Sequence, residues 1–237
     1  MIVGEEEILI KELYYVLMKA GLGNVKRVKT LIKHGCVKVN GHIVYKSYPV
    51  SSDDEILCQG QAIRWPFVYY MLNKPKGYLS ASYDCNEHYV LELFNRNDCF
   101  CLGRLDRDTT GLLIITNDAS LKSLLLPQNH ITKTYRVQVN HPLDDSLISK
   151  FKEGILIDKN VLCLSANLCI LNDYICDITI CEGKYHQVKK MFLSCGYVVV
   201  ELKRISFACL NLDESLALGE YRELTRDEIM NLLRRVL

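Results

Sequence analysis

The residues best suited to chemistry lie in GRLDRDTTGLLIITND, residues 103–118, where Asp106 and Asp108 share a turn with Arg104 and Arg107. Glycines at 103 and 111 bound the turn, and the apolar run 112–115 predicts a buried strand after it. Loops beside rigid strands are where catalytic groups gather, and a carboxylate there can serve as nucleophile or base. A structural reading stays equally open, because Asp and Thr side chains in tight turns commonly satisfy their own backbone. Three further segments carry reactive types. YYMLNKPKGYLS, residues 69–80, runs a strand into a Lys-Pro-Lys-Gly turn; KTYRVQV, residues 133–139, sets Tyr135 between Lys133 and Arg136; EGKYHQVKKMF, residues 182–192, brings Lys184, Lys189 and Lys190 together at the start of a helix. Each of these alone is a weak signal.

These residues need a scaffold, and the composition is that of a globular one: 237 residues, 49% hydrophobic and 24% charged. No apolar stretch approaches the length of a membrane-spanning helix. The opening acids Glu5, Glu6 and Glu7 are unlike the basic start of a secretory signal, so a cytoplasmic chain with no membrane partner is expected. Eleven cysteines, several in apolar runs (Cys163, Cys169, Cys176, Cys181), predict buried reduced thiols. Cys99 and Cys101 have no second pair near them, so no metal site is expected. Net charge is only +1, but it is segregated. Between Lys11 and Lys46 eight basic residues face one acid, Glu12, the footprint of a phosphate-binding surface or of a solvated helix face.

Apolar spacing at Ile8, Leu9, Leu13, Val16 and Leu17 predicts a helix over residues 6–20, stopped by Gly21. A second, over 25–34, ends at Gly35 and presents Lys26, Arg27, Lys29 and Lys33 outward while Val28, Leu31 and Ile32 anchor it. Asn40-Gly41 between alternating residues predicts a hairpin. From Phe67 on, strands are expected over 69–72, 112–116, 134–139, 175–181 and 198–207, and helices over 118–126, 144–152, 186–195 and 226–236. Thr225 and Glu228 form a capping box for the last helix. Consecutive strands without regular helical crossovers imply an α+β chain with a mainly antiparallel sheet and flanking helices.

The first sixty residues resemble the S4 RNA-binding domain, chiefly through VKRVKTLIKHGCVKVNG, residues 25–41. In their order the S4-like module, the NKPKG turn, the GRLD loop, the KTYRV strand, the EGKYHQVKKMF helix and GEYRELT (residues 219–225) resemble the RsuA family of pseudouridine synthases. The resemblance implies an S4-like RNA-binding domain over 1–62 and a catalytic domain over 66–237. It implies isomerisation of a uridine in ribosomal RNA without a cofactor, with uridine 516 of the 16S RNA or of a small-subunit assembly intermediate as target, by a monomer. Asp106 is the implied nucleophile, acting by covalent attack or proton abstraction. Lys189 is the implied cation beside it, Tyr135 the aromatic on the uracil, and Arg104 the residue filling the space of the flipped-out base. Lys184, His186 and Lys74 are expected at the RNA, with Lys26, Arg27, Lys29 and Lys33 on phosphates. Asp108 is read as an acceptor that stabilises the loop. Ala119, Lys184 and Lys190 depart from the residues frequent in the family.

Three other readings compete. A large-subunit synthase shares most of these motifs. Asp106-Arg107-Asp108-Thr109 also fits the DxDxT signature of magnesium-dependent haloacid dehalogenase-type phosphotransferases, but their signature follows its buried strand and this one precedes it. A noncatalytic assembly factor would suit the basic module, yet has no use for a carboxylate set beside RNA phosphates.

Overall fold

The computed structural model describes residues 9–94 and 96–235, and the chain divides after Val68 into two compact units. The first unit holds β1 (Ile10–Glu12), α1 (Leu13–Lys19), α2 (Val25–Lys33), β2 (Val37–Val39), β3 (His42–Val44), β4 (Pro49–Ser51), β5 (Ile56–Cys58) and β6 (Gln61–Ala62). Leu13, Val16 and Leu17 of α1 are buried, as are Val28 and Ile32 of α2. Asn24 caps α2 by accepting from the Arg27 N–H. Asn40 and Gly41, both at positive φ, join β2 to β3 in the two-residue hairpin the sequence predicts.

The N-terminal helix is shorter than expected. Residues 10–12 are instead a strand paired antiparallel with β4, and Glu12 accepts a hydrogen bond from the Ser47 hydroxyl. Helical spacing is real only from Leu13; strand pairing takes the residues before it, and residues 6–8, with Glu5–Glu7, lie outside the described part.

The second unit comprises β7 (Tyr69–Lys74), β8 (Phe100–Leu102), β9 (Thr110–Thr116), β10 (Lys133–Val139), α3 (Ser146–Glu153), β11 (Leu156–Ile157), β12 (Val161–Leu162), β13 (Asn167–Asn172), β14 (Ile175–Ile180), α4 (Gln187–Ser194), β15 (Val199–Phe207), β16 (Leu210–Asn211), β17 (Tyr221–Glu223) and α5 (Arg226–Leu233). Its main sheet runs β13-β14-β10-β15-β9-β7-β17, with β8 also on β9 and β16 on β15. The α+β class with a mainly antiparallel sheet holds; among the described strands only β15 and β9 pair in parallel. Every residue of β9 is buried, as its unbroken apolar run requires. The capping box of Thr225 and Glu228 opens α5 as predicted.

The structure departs from the sequence reading at further points. Residues 119–125 form a 3-10 helix and not an α-helix, because the buried Asp118 accepts from both the N–H and the hydroxyl of Ser120 and tightens the first turn. The sheet gains an edge strand, β13, in which the outward-facing Cys169 and Leu171 are apolar like the inward Leu168 and Ile170, so the sequence shows little alternation to read. Cys169 lies on that edge and is exposed and Cys181 is half-buried, while Cys163 and Cys176 are buried as expected.

Gly111 explains how β9 and β15 come close enough to pair. Its φ is +100°, and a Cβ there would lie 2.2 Å from the Arg204 carbonyl oxygen and 2.8 Å from the Arg204 nitrogen. Backbone has nowhere to retreat inside a sheet. Gly111→Ala should lower unfolding free energy by at least about 2 kcal/mol in chemical denaturation; wild-type stability would show that the two strands can part freely.

Candidate active site

The loop from Gly103 to Thr109 joins β8 to β9 and is stapled from below by the Lys-Pro-Lys-Gly turn. Lys74, at the end of β7, is wholly buried, and its ammonium donates to the carbonyls of Pro75, Asp106, Arg107 and Thr109 at 3.0–3.2 Å. The Gly77 N–H donates to the Arg107 carbonyl, and Ser80 Oγ exchanges hydrogen bonds with both backbone groups of Leu105. Burial pulls the Lys74 pKa down to about 8, with the carboxylates of Asp108 and Asp106 opposing it. Lys74 therefore does not reach RNA, contrary to expectation; it sets the backbone of the loop from which Asp106 projects.

The Asp106 side chain is about a quarter exposed and meets an ammonium and an imidazole. Its Oδ2 lies 3.3 Å from Lys189 Nζ and its Oδ1 lies 3.6 Å from His186 Nε2. Lys189 is shared, since its Nζ also contacts Asp108 Oδ1 at 2.5 Å. Burial alone would raise the Asp108 carboxyl, but the Lys189 ammonium outweighs it and holds the pKa below the ordinary value. Asp108 thus anchors Lys189, a role its position in the sequence does not reveal.

Asp106 and Tyr135 line one cavity of about 850 Å³, together with Arg104, Lys184 and His186. Lys189 supports Asp106 from outside that lining. Tyr135 is 8% exposed and sits on β10 between Ile178 of β14 and Arg204 of β15. The β10–β15 register shifts between Thr134 and Tyr135, an irregularity of the kind that re-aims side chains at functional sites. Arg104 is exposed at the wall, and the Lys184 ammonium is paired with Glu182. Lys26, Arg27, Lys29 and Lys33 are all exposed on α2 of the other unit.

Two groups escaped sequence reasoning. Arg204 is buried on β15, donates from Nε to the Leu112 carbonyl at 2.7 Å, and is the β15 residue paired opposite Tyr135; burial lowers its pKa and Tyr135 opposes that. A lone arginine among VVELKRISF looks like an exposed position of an alternating strand, and only the pairing with β9 and β10 encloses it. Glu182 accepts from the Leu164 N–H, Lys184 and Gln187, and these bonds keep its carboxyl below the ordinary pKa against the upward push of burial. It shapes the turn that places His186 in a left-handed conformation, φ 51°, at the head of α4.

A family profile described as RNA pseudouridylate synthase matches residues 68–194, and one described as S4 domain matches residues 13–56. The chain is similar to ribosomal small subunit pseudouridine synthase A of Haemophilus influenzae, 36% identical over 93% of this chain and 98% of that one. It is similar to the same degree, 36%, to ribosomal large subunit pseudouridine synthase B of Bacillus subtilis, over 94% and 96% of the two chains. A crystal structure described as pseudouridylate synthase matches with a TM-score of 0.68 at 35% identity, covering 93% of this chain and 99% of that chain.

Lys74→Met should cost about 3 kcal/mol or more of stability, since it strips four buried carbonyls of their common donor. Because the folded pKa is depressed, the unfolded chain binds the extra proton between about pH 8 and the ordinary lysine value near 10.5. The stability difference between wild type and Lys74→Met should accordingly rise with pH across that window in denaturation series. A difference that is flat with pH would mean that Lys74 titrates normally.

Proposed function

The chain belongs to the RNA pseudouridylate synthase family, and from that premise we propose that it converts one uridine of ribosomal RNA to pseudouridine with Asp106 as the reacting carboxylate. The observation that carries this reading is the placement of Asp106: one face on the cavity, the other against Lys189 at 3.3 Å and His186 at 3.6 Å. The ammonium beside it attracts negative charge at the carboxylate, and the cavity leaves that carboxylate open to a substrate. The ionised group acts on the ribose, by attack on C1′ or by removing a ribose proton. The C1′–N1 bond breaks and the uracil turns; C5 then bonds C1′, displacing the carboxylate on the first route or with return of the ribose proton on the second, and C5 loses its proton while N1 gains one. Tyr135 faces the base, held by Arg204, and Arg104 at the wall takes the space of the extruded nucleotide.

Residues 66–237 supply this chemistry, and residues 1–62 hold RNA through the phosphate-directed side chains of Lys26, Arg27, Lys29 and Lys33. Lys184 and His186 contact the nucleotide beside Asp106. The target we favour is uridine 516 of the 16S RNA or of a small-subunit assembly intermediate, supported by EGKYHQVKKMF and GEYRELT, with a monomer working in the cytoplasm.

Release of tritium from C5-labelled 16S and 23S transcripts tests both levels. Wild type should release label from 16S alone, and Asp106→Asn from neither while still binding RNA. Lys189→Ala should lower kcat on the order of 100-fold with KM within about threefold, because it acts on the state of the carboxylate. Equal release by wild type and Asp106→Asn would remove Asp106 from the chemistry, and release from 23S alone would move the target to the large subunit.

A further inference from the structure

Among the described residues Tyr185 is the most exposed of the large apolar and aromatic side chains, at 74%. Yet it is not a stray surface residue. Its ring stacks on His186, centroids 3.9 Å apart and planes within 20°, and both residues line the cavity that holds Asp106. The three groups form a short ladder: carboxylate, imidazole at 3.6 Å, then phenol ring facing solvent. The imidazole reaches its place only through a left-handed backbone at His186, a conformation that costs a non-glycine residue about 1 kcal/mol or more and persists where the surroundings impose it. Cations flank the ladder. Lys190, paired with Asp158, lies over the Tyr185 ring with its ammonium 5.1 Å from the ring centre, and Lys184, paired with Glu182, precedes Tyr185 in the chain, so the exposed remainder of the ring is what is open to a ligand.

We propose that the Tyr185–His186 stack is a binding subsite for a single-stranded nucleotide next to the extruded uridine, whose base lies on the open part of the Tyr185 ring. The inference rests on the RNA-modifying reading above and adds a place for the flanking nucleotide. A nucleobase has a flat π-face, an exposed tyrosine ring offers the complementary surface, and such stacking tolerates any base. A flipped uridine leaves its neighbour without a stacking partner, and a ring already stacked toward the carboxylate supplies one at the point where the strand enters. The neighbouring ammonium groups suit the phosphates on either side.

Stacking and ion pairing respond differently to salt, which allows a direct test with single-stranded oligoadenylate as probe. Tyr185→Ala in the full chain should weaken binding between about 5-fold and 100-fold while leaving the slope of log Kd against log salt unchanged. Tyr185→Phe and Tyr185→Trp should bind within about twofold of wild type. Unaltered affinity in Tyr185→Ala, or a Phe variant as weak as the Ala variant, would overturn the subsite. In a second arm, turnover on the 16S transcript should show the Tyr185→Ala loss in KM, with kcat kept within about threefold; a loss confined to kcat would contradict a binding role. Failure of wild type to release tritium would count against the proposed reaction, and the oligoadenylate arm would still decide the stack. Tyr185 is exposed, so thermal unfolding of all three variants should match wild type.

Discussion

The site depends on one buried ammonium. Lys74 gathers four backbone carbonyls, three of them from the loop that carries Asp106. An ammonium has only three hydrogens, so these acceptors share them, and no water is available to help in a fully enclosed position. The loop conformation is therefore tied to the end of β7. The depressed pKa measures what that tie costs: burial strips hydration from the charge, and the carboxylates above return part of it. A loop held this way projects the Asp106 carboxylate from a backbone fixed in advance, the kind of arrangement that electrostatic preorganisation requires.

Charge above the loop is arranged with the same economy. Lys189 bridges Asp106 and Asp108, so the second aspartate holds the cation that stands beside the first. Across the cavity Arg204 occupies the seam where β9 and β15 run parallel, and Gly111 makes that seam possible by having no Cβ. Arg204 then reaches Tyr135 on the neighbouring strand. The turn at Gly111 thus serves two partners: it ends the Asp106 loop and admits the backbone that carries the arginine behind Tyr135.

Much of this was legible in the residues. The hairpin at Asn40-Gly41, the stop at Gly35 and the capping box at Thr225 have local causes, and local causes are written in local sequence. The loop of Asp106 and the basic turn before α4 stood out because reactive types cluster there. What could not be read depends on pairing between distant segments. The strand at Ile10–Glu12 exists because β4, some forty residues on, pairs with it. Lys74 looked like a surface lysine and proved buried, and Arg204 becomes an internal cation only when three strands meet. Charged residues enclosed by tertiary structure carry no periodic signature, and here they are the ones that position the site.

The most direct test is made in the cell. With the chromosomal copy replaced by Asp106→Asn, pseudouridines would be mapped across both ribosomal RNAs. The account predicts that one small-subunit pseudouridine disappears while the variant accumulates to normal levels. An unchanged map with the variant as the sole copy would contradict it.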